Sequence, residues 1–543
     1  MKSLRQLVLL STLTNWSVGA SQLADRCTAT SFKDVLPAAA SIESITSVAN
    51  GSSYGEGAAD IGFPAVPRNL PALCAVIVNV NSSNSSNYRF GIFLPADWNS
   101  RFLAVGNGGF AGGINWMAMG SGVRYGHSVI STDTGHNSTS GDVTWALNNK
   151  EKQLDFGFRA IHGSVQLGKM MTKAYYGTNI TYSYYSGGST GGRQGLKEAQ
   201  FDPTSFDGMI IGAPAWWTSH LQTWTTKVAM YNLPLSAANS IPTSMFSVIG
   251  KEVSKQCDAL DGLSDGIISY PDKCNFDPTP LLCSSPGASA SACLTQTQLT
   301  TLKNIYGQYL ADGKFAFPGM EPGSEAQWAF LLGSPAPSTL GYQYVQYFLL
   351  NSQTWNWTQY NDTMVWEADS KDPGQCTADD IAALAKFRDR GGKIFMYHGL
   401  SDGLIPPGSS DVFYQKMVDT LGGSGQKPLD SWYRYFKVPG MQHVSGTAVN
   451  APWYFAGADA AGSLGQGVYS TPGFEDAQHD AMLAMIDWVE KAKPMDQIIA
   501  TTWKTSNNPS SGVLRQRPLC PMPKRQTYDG KGDLNKPESF ACS

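Results

Sequence analysis

The pentapeptide Gly187-Gly188-Ser189-Thr190-Gly191 constrains what this chain can fold into more than any other stretch. It is a G-x-S-x-G pattern, and its neighbours place it in a fold. Thr181 to Ser186 is rich in β-formers and reads as a strand. Arg193 to Gln200, with Leu196, Lys197, Glu198 and Ala199, reads as a helix. A strand that turns this abruptly into a helix puts Ser189 at an exposed, strained corner. Small residues are needed on both sides, because a Cβ there would strike the facing backbone. The pattern alone also fits a plain glycine-rich turn. The strand-turn-helix context favours a nucleophile.

The surrounding sequence alternates strand and helix. Arg89 to Leu94, Phe102 to Val105, Ser128 to Ser131 and Gly208 to Gly212 read as strands. A helix is expected from about Phe156 to Tyr176, with Gly177 as its stop. After Trp216 the alternation is lost in a segment rich in Ser, Pro, Gly, Trp and Cys. It resumes with an expected helix Ala378 to Asp389, strands Lys393 to Tyr397 and Trp432 to Val438, and a helix Asp476 to Lys491. Strands separated by helices imply a mostly parallel α/β sheet covered on both faces. One sheet domain, 21–215 and 378–543, interrupted by an insertion at 216–377, explains this better than three separate domains.

Composition narrows the function classes. The chain has 543 residues, 42% hydrophobic and 15% charged, with net charge -4. It has no Lys/Arg-rich tract, which argues against nucleic acid or an anionic membrane as partner. Lys2 and Arg5, the apolar run Leu7 to Leu13 and the small residues Val18-Gly19-Ala20 read as a secretory signal over 1–20. An ordinary N-terminal helix is the plainer alternative. Sequons at Asn50, Asn81, Asn84, Asn137, Asn179, Asn356 and Asn361 agree with secretion, each weakly. Nine cysteines imply disulfides with one thiol left over. Spacing favours the pairs Cys27–Cys74, Cys257–Cys274, Cys283–Cys293 and Cys520–Cys542, leaving Cys376 free, although connectivity does not follow from sequence.

A serine nucleophile needs a base, and the base needs a carboxylate to fix its tautomer. Asp402 lies just beyond the Lys393 to Tyr397 strand, and His443 just beyond the Trp432 to Val438 strand. Order and location match a Ser, Asp, His sequence on late loops. Taken singly, Asp402 reads as a turn aspartate before Gly403 and His443 as a surface loop histidine; each weakens the other's plainer reading. His398 is a rival at a strand end beside Asp402, and His479 is expected inside a helix. The oxyanion donors expected are the backbone N–H of Thr190 and one from the loop Gly106 to Gly113, assigned to Gly109. That loop also matches a dinucleotide fingerprint through Gly106, Gly108 and Ala111, but no well-placed acidic residue follows it. In the insertion, Asp258, Asp261 and Asp265 fall within eight residues. A solvated Asp/Gly turn is the plainer reading, but a hard cation would relieve their repulsion.

Together these residues resemble the fungal tannase and feruloyl esterase family. The stretches that carry the likeness are Gly106 to Ile114, Tyr185 to Gly195, Cys257 to Cys274, His398 to Ile405 and Val438 to His443. The resemblance implies an α/β-hydrolase fold with the insertion as a lid, and hydrolysis of phenolic-acid esters, with feruloylated polysaccharide as a possible substrate. It carries a catalytic triad onto Ser189, Asp402 and His443. It also implies a structural Ca²⁺ held by Asp258, Asp261, Asp265 and the carbonyls of Leu263 and Ile267, with no organic cofactor. One departure stands out. The family typically has bonded cysteines just before the nucleophile and just after the histidine, where this chain has Gly188 and Val444. The expectation is a secreted serine esterase releasing ferulic-type hydroxycinnamic acids. The alternatives are a tannase acting on gallate esters and, because the cysteine pair is missing, a non-catalytic glycoprotein binding phenolics or polysaccharide.

Overall fold

The computed structural model describes residues 26–543 except 288–291, 423–427 and 466–467. The expected signal segment therefore lies outside the described residues. The sheet strands are β1 (Ala40–Val48), β2 (Leu73–Asn81), β3 (Asn87–Pro95), β4 (Arg101–Val105), β5 (Ser128–Thr132), β6 (Tyr182–Gly188), β7 (Gly208–Gly212), β8 (Lys393–Gly399) and β9 (Tyr433–Val438). Their spatial order is β1-β2-β3-β5-β4-β6-β7-β8-β9. The strands from β5 to β9 pair in parallel, while β1, β2 and β3 form an antiparallel edge. β6, which leads to Ser189, is central, between β4 and β7.

Both faces of the sheet are buried, and the strand side chains divide between two apolar clusters. Val76, Phe90, Ala104, Tyr185, Met209 and Met396 point into one. Leu103, Val105, Tyr184, Ile210, Phe395 and Tyr397 point into the other. This alternation is the period-2 geometry of a strand, and two apolar faces are what a parallel sheet requires. Helices α1 (Trp116–Val123), α2 (Ala160–Tyr176), α3 (Thr190–Phe201), α5 (Gly408–Leu421) and α6 (Ala481–Lys491) supply much of the cover, while α4 (Thr218–Tyr231) packs within the insertion.

Among the described residues between β7 and β8, none joins the large sheet. Most of this segment packs around its own core, including Trp224, Phe246, Leu302, Phe317 and Trp328. A further cluster joins it to the sheet domain, with Tyr344, Phe348 and Cys376 meeting Phe110 and Phe156. The four disulfides pair Cys27–Cys74, Cys257–Cys274, Cys283–Cys293 and Cys520–Cys542, and Cys376 is a buried free thiol.

Three expectations need correction. The Ala378 to Asp389 helix begins only at Leu384, because the Asp380 side chain accepts the Ala383 N–H at 3.1 Å and holds a turn instead. The Asp476 to Lys491 helix begins at Ala481. There Asp480 caps the N–H groups of Met482 and Leu483 at 2.7 and 3.0 Å. His479 consequently precedes the helix, its ring bonded to Asp476 at 2.9 Å. The expected Phe156 to Tyr176 helix starts earlier, at Lys150, and passes through a π-helical turn, Asp155–Arg159.

Candidate active site

The chain turns from β6 into α3 at Ser189, whose φ of 56° and ψ of -123° lie in a region few non-glycine residues occupy. The corner is pinned to the next strand. Ser189 N–H donates to the Gly212 carbonyl at 2.8 Å, and its own carbonyl accepts the Ala215 N–H at 3.0 Å. A Cβ on Gly187 would stand 2.7 Å from the Gly191 carbonyl carbon. Gly188 differs. A Cβ there would meet not backbone but Val444, at 2.4 Å from Cγ1. The two positions where the resemblance places bonded cysteines thus face each other across a van der Waals contact.

Asp402 follows β8 and His443 follows β9, neighbouring parallel strands whose loops emerge at the same edge of the sheet. His443 Nδ1 meets Asp402 Oδ2 at 2.6 Å. Asp402 is fully buried. Its other oxygen accepts the N–H groups of Leu404 and Ile405 at 2.8 and 3.0 Å. His398 is not an alternative base but a second histidine on the same carboxylate. Its Nε2 lies 3.0 Å from Asp402 Oδ2, and its Nδ1 lies 2.7 Å from the Ser410 hydroxyl. Burial by itself would push the Asp402 carboxyl up. The charge of His443 and the hydrogen bonds from both histidines outweigh it and hold the group well below the ordinary carboxylate range.

Ser189 and His443 line one cavity of about 530 Å³. Gly108 and Gly109 form part of its wall, and Phe330 and Leu340 reach it from the insertion. Thr190 is the first residue of α3, so its N–H has no intrahelical acceptor. Gly109 sits at a φ of 55°, and a Cβ there would collide with the Ser140 carbonyl oxygen at 2.8 Å. Glycine is what lets this loop pass so close.

Sequence reasoning missed Asp459, which lines the same cavity. Its carboxylate accepts the N–H of Gly188 at 3.1 Å, the residue before the candidate nucleophile, and lies 3.4 Å from Asn115 Nδ2. The residue as a whole is exposed, but desolvation of its carboxylate raises its pKa to about 6, against the pull of those two donors. No local motif marks it; only its place in the fold does.

In the insertion, Asp258 accepts the Gly266 N–H at 3.0 Å, Asp261 that of Leu263 at 3.0 Å, and Asp265 that of Ile267 at 3.1 Å. Leu263 and Ile267 are buried, and among the described residues no hydrogen bond reaches either carbonyl. Carboxylates and orphaned carbonyls are the hard oxygen donors that Ca²⁺ takes, so the residues fit the ion by chemistry. The fit is qualified by charge. Arg517 is hydrogen-bonded to Asp265, and Arg515 lies 3.5 Å from it. Nor do the three carboxylates form the tightest cluster. Among the described residues, the group of metal-capable side chains with ligand atoms all within 4.8 Å of one another is His162, Glu198 and Asp202. There His162 Nδ1 pairs with Glu198 at 3.1 Å and the Ser205 hydroxyl donates to the same oxygen at 2.6 Å, an ion pair joining α2 to α3. The sequon asparagines Asn50, Asn81, Asn84, Asn137, Asn179, Asn356 and Asn361 are exposed.

A family model described as "Tannase and feruloyl esterase" matches residues 74–543. The chain belongs to the tannase and feruloyl esterase family. Like its relatives, it is a carboxylic-ester hydrolase. A probable feruloyl esterase B-2 from Aspergillus terreus is 33% identical over 471 residues, covering 87% of this chain and 86% of the relative. A probable feruloyl esterase B-1 from Neosartorya fischeri is 34% identical over 470 residues, covering 86% of each. The crystal structure of feruloyl esterase B from Aspergillus oryzae superposes with a TM-score of 0.85 at 31% identity, over 96% of this chain and 100% of that one. Tannin acyl hydrolase from Aspergillus niger shares the fold, with a TM-score of 0.72 at 23% identity over 96% and 95% of the two chains. The α/β-hydrolase fold expected for the family is the one observed.

Proposed function

We propose that this esterase is secreted and releases ferulic-type hydroxycinnamic acids from plant cell-wall or small alkyl esters, through an acyl-enzyme on Ser189. His443 takes the proton from the Ser189 hydroxyl as its oxygen attacks the ester carbonyl. The buried Asp402 carboxylate holds the Nδ1–H of His443 and stabilises the imidazolium that forms. The N–H groups of Thr190 and Gly109 receive the oxyanion. The imidazolium then protonates the leaving alcohol oxygen as the C–O bond breaks. Water, deprotonated by His443, attacks the acyl-enzyme, and the imidazolium returns that proton to the Ser189 oxygen as its bond to the acyl carbon breaks, releasing the acid. The carboxyl product takes one hydroxyl from water and the alcohol one proton, so the atoms balance.

The observation that carries this reading is the 2.6 Å His443–Asp402 bond, made beside a cavity that Ser189 also lines at a strained elbow. The names of the relatives favour ferulate over gallate. Replacing Ser189 by Ala is expected to remove nearly all turnover of methyl ferulate, a loss of about 10⁶ by analogy with triad serines. Retained turnover in S189A would overturn the mechanism. Parallel assay of methyl ferulate and methyl gallate reads the acyl preference, and faster turnover of gallate would make the enzyme a tannase.

Secretion is supported by the four disulfides and the exposed sequons. Among the described residues no helix is long and apolar enough to cross a membrane. The Asp258 to Ile267 loop is the proposed Ca²⁺ site, closed by Cys257–Cys274 and held through Asp258, Asp261, Asp265 and the carbonyls of Leu263 and Ile267. The ion would be structural, with no step in the ester chemistry.

A further inference from the structure

The two loops that present Asp402 and His443 are joined by a side chain from neither of them. Gln327 belongs to the insertion, at the end of the 3-10 turn Glu325–Gln327. Its Oε1 accepts the N–H of Gly403 at 3.0 Å and the N–H of His443 at 3.2 Å. Both partners are backbone donors, so only the carbonyl end of the amide can serve them, and the orientation of the side chain follows. One oxygen therefore ties the residue after Asp402 to His443 itself. The approach is close. A Cβ on Gly403 would stand 2.8 Å from Gln327 Cβ, which accounts for the glycine after the aspartate.

The base from which Gln327 reaches is rigid. Glu325 is buried, takes the Tyr306 hydroxyl at 2.5 Å and receives the Gly323 N–H at 3.0 Å. Trp328 is fully buried. Its Nε1 donates to the Ser324 hydroxyl at 2.9 Å, and its ring packs edge-on against Tyr306 and Phe246. Three residues beyond Gln327, Phe330 lines the catalytic cavity. The same short segment thus lines the cavity and touches both loops, while Gly188 and Val444 meet without a covalent link.

We infer that Gln327 is a positioning residue for the catalytic pair, so that the inserted domain is part of the active-site framework and not only its cover. This rests on the triad reading above. The role is to set the geometry of His443 against Asp402; Gln327 reacts with nothing.

The test compares Gln327→Leu, which removes the acceptor, with Gln327→Glu, which keeps an oxygen in its place, in the full-length protein. For Q327L, kcat for methyl ferulate is expected to fall about 10- to 100-fold with KM changed less than about twofold, the size of effect a small misplacement of a catalytic group produces. Labelling of Ser189 by a fluorophosphonate should slow by the same factor. Amide hydrogen exchange should accelerate in the peptides holding Gly403 and His443. Q327E should stay within about threefold of wild-type kcat, because its carboxylate can accept both N–H groups. A general loss of folding would lower both variants alike and shift the melting temperature; rescue by Glu at an unchanged melting temperature separates the two. Wild-type kcat and labelling in Q327L would overturn the inference, as would equal losses in Q327L and Q327E. If the wild-type protein itself is not labelled at Ser189, the triad reading fails instead.

Discussion

Asp402 carries more of this site than an orienting carboxylate needs to. It receives two histidine rings and two backbone N–H groups while fully buried. Four donors around one carboxylate keep it ionised where burial alone would protonate it. In the proposed mechanism that charge fixes the His443 tautomer, leaving Nε2 to take the proton of Ser189. Asp402→Asn keeps the shape and most hydrogen bonds but removes the charge. It is expected to lower kcat about 10⁴-fold, as in other serine triads, with substrate binding little changed. Steady-state kinetics on methyl ferulate checks this, and a loss below tenfold would mean His443 is oriented by something else. His398 is a different kind of residue. Its ring is fully buried and bonded on both nitrogens, so it supports the carboxylate without reaching the cavity.

At the scale of elements, the site is an agreement between the β6–α3 corner, two loops after parallel strands, and the insertion. The contact between Gly188 and Val444 makes this measurable. Cysteines placed at both positions should form a disulfide, because their side chains would meet without backbone movement. The oxidised double variant is expected to melt several degrees higher than its reduced form, in line with the about 2–4 kcal/mol a crosslink typically contributes. Absence of the crosslink in folded protein would count against the proximity of the two loops. The Asp258 to Ile267 loop allows a second measurement. Arg517 and Arg515 already offset part of its negative charge, so the proposed Ca²⁺ should bind with modest affinity. Chelation is expected to lower the melting temperature by a few degrees while leaving kcat unchanged at temperatures well below melting. Metal analysis without Ca²⁺, together with an unshifted melting temperature on chelation, would remove the metal.

At the scale of the whole molecule, several carboxyls are buried without a full ionic partner. Burial raises Asp133 to about 7 and Asp480 to about 6, and partial burial raises Glu321 to about 7. Their ordinary values are 3.8 for Asp and 4.5 for Glu. The folded chain therefore holds protons that the unfolded chain releases. The stability this contributes is full below about pH 4 and is lost as pH rises through 6 to 7. Asp402 works in the opposite sense, its contribution being lost as pH falls below its ordinary value of 3.8. Thermal unfolding should accordingly be most resistant at mildly acidic pH and weaken by several degrees between pH 5 and pH 8. Asp480→Asn should flatten that slope, since its amide still caps the helix but carries no charge to bury. A melting temperature that rises from pH 5 to pH 8 would contradict this account.

The sequence by itself determined the features that depend on local stereochemistry and chain order. The elbow could be read because a strand, a strained serine and a helix must follow one another within a dozen residues, with glycines where backbones touch. Asp402 and His443 could be read because each follows a strand, and parallel strands bring their following loops to one edge. The disulfides could be read because most close short loops. What only the tertiary structure decided lies across long separations with no periodic or local signature. Gln327 reaches Gly403 and His443 across 76 and 116 residues, and Asp459 reaches Gly188 across 271. A glutamine in a short turn, or an aspartate before a small 3-10 helix, looks the same in sequence whether it faces water or an active site. Packing of the insertion, and of the segment after β9, against the sheet edge decides which, because the N–H groups left open by these loops can be satisfied only by what that packing brings near.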